Sequence, residues 1–361
     1  MAITFLTAII CFLLTIVGVD LFRRWSVRRE LLDHPNERSS HTRPTPRGGG
    51  IVICLVALAS LSAFYANGAA EVPWAYFAGA VLVAGISWLD DLGSVSALVR
   101  FACHTLAAGL VVFSLGGFET LHVPFYGTLI VGGLGQLIAF LWIVWMINAY
   151  NFMDGIDGLA AMQAVTGGVG WLAIGYFYSL ESITFFGGVL AAANAAFLFH
   201  NWQPAKIFMG DVGSAFLGFT FAVIPLLGVQ NRELHEFNLL FPIFTGLFVW
   251  FFLFDSVFTF FRRLLQGEKV WQAHRMHIYQ ELVIAGYSHQ AVTILYGVGS
   301  CLIIFVMFAA LTNPRYFGNI IWSFVMLLTI VLLFIWRKSK RILETGRLIE
   351  KNELTATENE L

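Results

Sequence analysis

The sequence predicts an all-α, polytopic membrane protein of about eleven transmembrane helices, with its N-terminus outside and its C-terminus inside. Three observations predict it. Only 12% of the 361 residues are charged and 58% are hydrophobic, whereas a soluble domain of this size carries about a quarter charged residues. Apolar stretches of about 20 residues, enough for a helix to cross roughly 30 Å of hydrocarbon, recur along most of the chain. Of the 21 Lys and Arg residues, all but Arg232 and Arg315 fall in alternate connecting segments, the asymmetry that keeps basic loops inside. The composition argues against a soluble enzyme, a disordered chain and a nucleic-acid binder with a basic surface, and the net charge of −1 conceals the asymmetry between loops.

The apolar stretches run over 2–22, 49–67, 74–89, 101–117, 127–147, 159–178, 183–200, 212–229, 238–260, 290–311 and 318–336. They are continuous rather than alternating, which excludes a transmembrane β-barrel. The first is expected to stay attached rather than be cleaved as a leader. No basic region precedes it, no A-x-A site follows, and Arg23, Arg24, Arg28 and Arg29 come directly after it. The inside segments are then 23–48, 90–100, 148–158, 201–211, 261–289 and 337–361. Residues 1–336 are expected to form one transmembrane domain with its chemistry in the inside loops. Residues 337–361 form a tail that starts basic, ends polar and is helical before it frays. A helical pair or bent helix is expected between 261 and 289. Cys11, Cys54, Cys103 and Cys301 lie inside apolar runs with no C-x-x-C pair, so neither a disulfide framework nor a zinc site is indicated.

The inside segments hold the polar pattern. Asp90 and Asp91 end the third stretch; Asn148, Asn151, Asp154 and Asp157 recur every three residues in NAYNFMDGIDGL; Asp211 lies in FMGDVGS; His274 and His277 lie in AHRMHIYQ. A lone acid at the end of a span usually only marks the edge of the hydrocarbon. Five acids on one membrane face with few local bases repel one another unless a cation neutralises them. Oxygen ligands favour a hard cation, Mg²⁺ or Mn²⁺. The threefold spacing is expected to put Asn151, Asp154 and Asp157 on one face of a helix or helical turn. His274 and His277, flanking Arg275, suit a phosphate better than a transition metal, because no third nitrogen or sulfur ligand is evident. The first inside loop adds Arg38, His41, Arg43 and Arg47, and Gly48–Gly50 are expected to offer backbone N–H groups to an anion. No Walker A, dinucleotide or nucleophile-elbow motif occurs. A secondary transporter would carry its acids near the bilayer midplane, whereas these sit at one rim. Asp255 is the main exception, and it either marks a break or bend in the ninth span or faces the bundle.

These motifs, in this order from about residue 33 to 281, resemble the polyprenyl-phosphate N-acetylhexosamine-1-phosphate transferase superfamily. The resemblance rests on D-x-P-N-x-R-S-x-H followed by P-T-P-R-G-G-G, on Asp90-Asp91, on NAYNFMDGIDGL, on N-x-x-P-A-K-x-F-M-G-D-V-G-S at 201–214, and on AHRMHIYQ. It implies transfer of a sugar 1-phosphate from a UDP-N-acetylhexosamine to polyprenyl phosphate with release of UMP. The reaction would take place on the cytoplasmic face of a bacterial inner membrane. It further implies Asp211 as the direct Mg²⁺ ligand and Asp90, with Asp91 beside it, as the base or activator of the lipid phosphate. Asp154 and Asp157 would serve the chemistry in a cleft that Asn148 and Asn151 help to line. Asn201 would contact the nucleotide and Phe208 would stack on uracil. His41, Arg47, His274, Arg275 and His277 would bind substrate, with Met276, Ile278 and Tyr279 touching the sugar. Direct displacement and a covalent Asp intermediate both stay open, and a homodimer is one expectation for assembly. The loop form H-R-x-H-x-Y-Q resembles the branch that initiates O-antigen and related surface polysaccharides; the alternative is the peptidoglycan-precursor enzyme that takes a muramoyl-pentapeptide donor.

Overall fold

A backbone removed from water must satisfy its own N–H and C=O groups, so continuous apolar sequence becomes helix. The computed structural model describes residues 2–35, 43–68, 70–123, 125–229, 240–269, 274–312 and 316–359. Helices α1 (Ala2–Arg28), α2 (Gly50–Ala66), α3 (Trp74–Leu92), α4 (Ala97–Leu115) and α5 (Leu134–Phe152) are followed by α6 (Leu159–Phe177), α7 (Glu181–Asn201) and α8 (Gly210–Val229). Then come α9 (Phe241–Phe248), α10 (Trp250–Leu265), the short α11 (Ile278–Ile284), α12 (His289–Leu311) and α13 (Phe317–Asn359), which runs unbroken into the C-terminal segment. Nine of the described helices are long and apolar enough to cross a membrane, and α9 with α10 adds a bent pair. The apolar α2, at 17 residues, is shorter. The outside of the bundle is apolar, with side chains such as Phe113, Phe305 and Phe334 exposed, as suits a multi-pass membrane protein surrounded by lipid.

Two expectations from the sequence are corrected, and one left open is decided. The fold is mostly rather than wholly helical. Strands β1 (Leu32–Asp33) and β2 (Thr45–Pro46) pair antiparallel between α1 and α2, and β3 (Thr120–Val123) pairs with β4 (Gly127–Ile130). The fifth helix therefore begins at Leu134, not near 127, because Gly127 and Gly132 adopt left-handed backbone that stops a helix from starting there. The ninth span contains the bend that was one of the two readings left open for Asp255: α9 and α10 meet at 83°. Phe241, Phe244 and Phe248 of α9 pack their rings on Trp171 of α6, while α10 turns away and carries Asp255 into a polar cluster described below.

The central helix is α8, with 89% of its apolar window buried, against 22% for α1, α4 and α13. It contains Pro225, which cannot donate to the carbonyl one turn back and leaves Phe221 O without its helical partner. Thr245 of α9 donates its hydroxyl to that oxygen at 2.8 Å and accepts Trp171 Nε1–H at 3.0 Å, so the orphaned group is satisfied within the protein. At the other end, α8 touches α2 through glycines. A Cβ on Gly50 would come within 2.3 Å of Gly213 Cα, a distance that only backbone displacement could relieve.

Gly50→Ala is therefore expected to destabilise the protein by about 2–3 kcal/mol, read as a lower melting temperature in detergent. Gly85→Ala, at an exposed position with nothing within 4 Å of the added carbon, should leave melting unchanged. Equal melting of the two variants would show that the α2–α8 contact is not close.

Candidate active site

The polar ends of the helices meet at one end of the bundle. The C-terminal ends of α3, α5 and α7 come together with the N-terminal ends of α2, α4, α8 and α12. Asp91 makes the first connection. One carboxylate oxygen accepts the N–H of Asp211 at 3.1 Å and the other accepts that of Val212 at 3.0 Å. The last turn of α3 thus caps the start of α8, where the first N–H groups lack helical partners. Gly210 makes this approach feasible: its φ is +77°, and a Cβ there would lie 2.6 Å from Asp91 Oδ2. The end of the segment between α1 and α2 docks on the same run. Gly49 N–H donates to Phe208 O at 3.0 Å, Gly50 N–H to Met209 O at 2.8 Å, and Phe208 N–H to Pro46 O at 2.8 Å. The Gly49 and Gly50 donors are thereby consumed by backbone and are not held out to an anion, contrary to the expectation from the glycine run. Arg47 lies half-buried near Asp91, and His41 lies outside the described residues.

Three acids remain less fully engaged. Asp90 accepts Val95 N–H at 2.7 Å and Arg100 Nη1–H at 2.5 Å. The same Arg100 nitrogen donates to Asp211 at 2.7 Å, so one guanidinium joins two carboxylates that are close enough to bond each other. Asn151 donates to Ser214 Oγ at 3.0 Å and lies beside Asp211. Asp154 stands in the break between α5 and α6. Removal from water pushes its carboxyl well above the usual range, and the nearby carboxylates of Asp211, Asp91 and Asp157 push the same way. Arg100 was not singled out from the sequence. Its signal was there: it is the single basic residue of segment 90–100, at the edge of the apolar run that follows the Asp pair.

The remaining expected residues separate from this group. Helix α5 ends at Phe152, so Asn151, Asp154 and Asp157 do not share a helical face. Asp157 is buried. It accepts Ala205 N–H at 3.1 Å, and both its carboxylate and its backbone N–H meet His289 Nδ1 of α12. Asn201 is buried with both ends of its amide used, accepting Gly158 N–H and donating to Ile207 O, each at 2.9 Å. These two side chains hold loops together rather than face open space. Asn148 donates to Val144 O in its own helix at 2.7 Å, and Phe208 is half-buried. In the histidine loop the rings of His274 and His277 stack 4.8 Å apart. Burial, aided by His277 and Arg263, pushes His274 down to about 4, so it is neutral near pH 7 and supplies no positive charge. Ile278 and Tyr279 are fully buried and unavailable to a sugar, and His274, Arg275 and Met276 are the half-buried positions of that loop among the described residues.

The donor set fits a divalent cation chemically. Asp90, Asp154, Asp211 and Asn151 offer only hard oxygen ligands, and the guanidinium bridging two of the acids shows that the group requires positive charge. Among the described residues no three acidic, imidazole or thiol groups are already arranged about one point as ligands. Because the folded protein holds the Asp154 proton to higher pH than an unfolded chain does, melting in a chelator should fall as pH rises from about 4 through the raised value. Asp154→Asn should flatten that dependence and raise the melting temperature at neutral pH by about 2 °C or more. A variant that melts lower, with the pH dependence unchanged, would contradict the repulsion inferred at this site.

A model of glycosyl transferase family 4 matches residues 73–229, from the start of α3 to the end of α8. The chain is 31% identical over 314 residues to the decaprenyl-phosphate N-acetylglucosaminephosphotransferase of Mycobacterium tuberculosis, covering 78% of this chain and 76% of that one. It is 29% identical over 293 residues to a probable undecaprenyl-phosphate N-acetylglucosaminyl 1-phosphate transferase of Bacillus subtilis, covering 81% and 80%. It is 26% identical over 320 residues to a phospho-N-acetylmuramoyl-pentapeptide-transferase of Listeria monocytogenes, covering 81% and 94%. The matched region carries the acid cluster and Arg100, and the likeness extends over most of each relative: the chain belongs to glycosyl transferase family 4, among the polyprenyl-phosphate sugar-1-phosphate transferases.

Proposed function

We propose that this protein transfers N-acetylhexosamine 1-phosphate from a UDP-sugar to polyprenyl phosphate, releasing UMP and forming a polyprenyl diphosphate sugar. The observation that carries the reading is the acid group Asp90, Asp154 and Asp211 with Arg100 joining two of its members. Phosphoryl transfer asks for positioning and charge neutralisation more than for covalent help from the protein. In the reaction, an oxygen of the lipid phosphate bonds to the phosphorus that carries the sugar. The bond from that phosphorus to the bridging oxygen breaks, and UMP leaves with the electron pair. A phosphate monoester has a second pKa of about 6, so the lipid phosphate is largely dianionic at neutral pH and needs orientation more than deprotonation. Arg100 is the cation suited to orient it, and Asp90 fixes where that guanidinium stands. Asp211, with Asp154 and Asn151, would hold Mg²⁺ or Mn²⁺; when bound, the cation supplies charge neutralisation for the diphosphate and for the leaving UMP. Phe208 is the aromatic face offered to uracil, and Arg275 and Arg47 are the basic side chains offered to the donor phosphates.

The donor we assign is a simple UDP-N-acetylhexosamine, used at the cytoplasmic face of a bacterial plasma membrane to begin O-antigen or a related envelope polysaccharide. The histidine-loop pattern and the activities for which the Mycobacterium and Bacillus relatives are named support that choice over the muramoyl-pentapeptide donor of the Listeria relative.

Purified protein should release UMP only when a UDP-N-acetylhexosamine, polyprenyl phosphate and Mg²⁺ are all present, and should not turn over UDP-muramoyl-pentapeptide. Asp211→Asn should lower the rate by about a hundredfold or more while the protein still purifies in folded form. Turnover of the peptide donor alone would reject the donor assignment, and near-normal release by the Asp211 variant at ordinary Mg²⁺ would reject that residue as the metal ligand.

A further inference from the structure

Asp255 lies on α10 with none of its surface exposed, and its carboxylate meets five polar groups. One oxygen accepts Thr259 Oγ1–H at 3.1 Å and Ile278 N–H at 2.8 Å, and lies 3.2 Å from His277 Nδ1. The other accepts Tyr279 N–H at 3.1 Å and Tyr296 Oη–H of α12 at 2.9 Å. Three of these groups belong to consecutive residues of the histidine loop. The loop is also tied to the acid cluster. Tyr279 Oη donates to Phe152 O at 3.0 Å, two residues before Asp154. A Cβ on Gly155 would come within 2.1 Å of that hydroxyl, so the D-G pair leaves room for it.

We propose that Asp255 is the positioning residue of the histidine loop: its buried carboxylate holds His277 as the Nδ1–H tautomer, presents Nε2 as the ring's acceptor, and seats the loop against the Asp154 turn. An ionised carboxylate only accepts hydrogen bonds, so the proton between Asp255 and His277 belongs to Nδ1. The ring is further fixed by stacking on Tyr279 at 5.7 Å and on His274. Asp255→Asn preserves the volume but replaces one acceptor oxygen with an N–H₂ group. At least one loop donor then faces another donor, and the imidazole loses the charged acceptor that holds its proton on Nδ1. The consequence for turnover rests on the proposed function together with the expectation, from the sequence resemblance, that His277 binds the donor substrate; the tautomer does not.

The test is ¹⁵N NMR of imidazole-labelled protein in detergent, with the His277 resonances identified by their loss in His277→Gln. The wild-type ring is expected as the Nδ1–H tautomer at neutral pH, and an Nε2–H ring would overturn the proposal without any further variant. Asp255→Asn should abolish that single tautomer and lower kcat/KM for the UDP-sugar by at least about tenfold, with the KM for polyprenyl phosphate unchanged. Tyr296→Phe, which removes one donor from the same carboxylate but leaves His277 its partner, should keep the tautomer. Equal loss of both substrates' KM in Asp255→Asn, or loss of the tautomer in Tyr296→Phe alone, would reduce Asp255 to a packing role. Wild-type protein that releases no UMP from any UDP-sugar would reject the proposed function and leave the tautomer result standing.

Discussion

A carboxylate held away from bulk water must be met by hydrogen-bond donors or by a cation, and the end of this bundle is organised by how each acid meets that demand. Asp91, Asp157 and Asp255 are supplied by the protein itself. Asp91 receives the first N–H groups of α8, Asp157 receives Ala205 N–H and faces His289, and Asp255 receives five donors. Asp90 and Asp211 are left to share one guanidinium, and Asp154 has only acidic neighbours acting on it. The first three fix the backbone in place. The second three form a concentration of negative charge that the fold leaves short of compensation.

That division also explains the role of α12. His289, Thr293 and Tyr296 lie at spacings of four and three along one face of the helix. His289 and Thr293 hold Asp157, the latter through its carbonyl oxygen at 3.0 Å, and Tyr296 holds Asp255. One straight helix therefore braces the turn after α5 and the histidine loop together. The C-terminal helix closes the arrangement from the other side. Arg262 of α10 pairs with Glu281 of α11 and packs over the Trp336 ring of α13, whose indole N–H donates to the same Glu281. Motion of the histidine loop would have to break contacts to three helices at once.

Much of this was legible in the sequence because the physics of the membrane is one-dimensional: apolar length shows where helices run, and basic residues show which ends share a side. Asp90, Asp91, Asp154, Asp157 and Asp211 could be placed at one rim from that alone. What could not be read was which polar groups bond one another. Asn151, Asp154 and Asp157 look like one helical face, but the helix stops at Phe152 and the three side chains go to different partners. The glycines at 48–50 look like an anion nest, but two of their N–H groups pair with Phe208 and Met209. The histidine pair looks cationic, yet His274 is held neutral by burial. Arg100 was hidden because a single arginine beside an apolar run reads as a boundary, whereas Asp255 already pointed to a bend in the ninth span without fixing its place at Val249.

The central claim is that Asp211 and its neighbours hold a divalent cation where the donor diphosphate binds. The most direct measurement is electron–nuclear double resonance of Mn²⁺ added to the protein with a UDP-N-acetylhexosamine. The account predicts ³¹P coupling to Mn²⁺ in the wild-type protein and its loss in Asp211→Asn. Bound Mn²⁺ without ³¹P coupling in the wild type, or coupling that persists unchanged in Asp211→Asn, would contradict it.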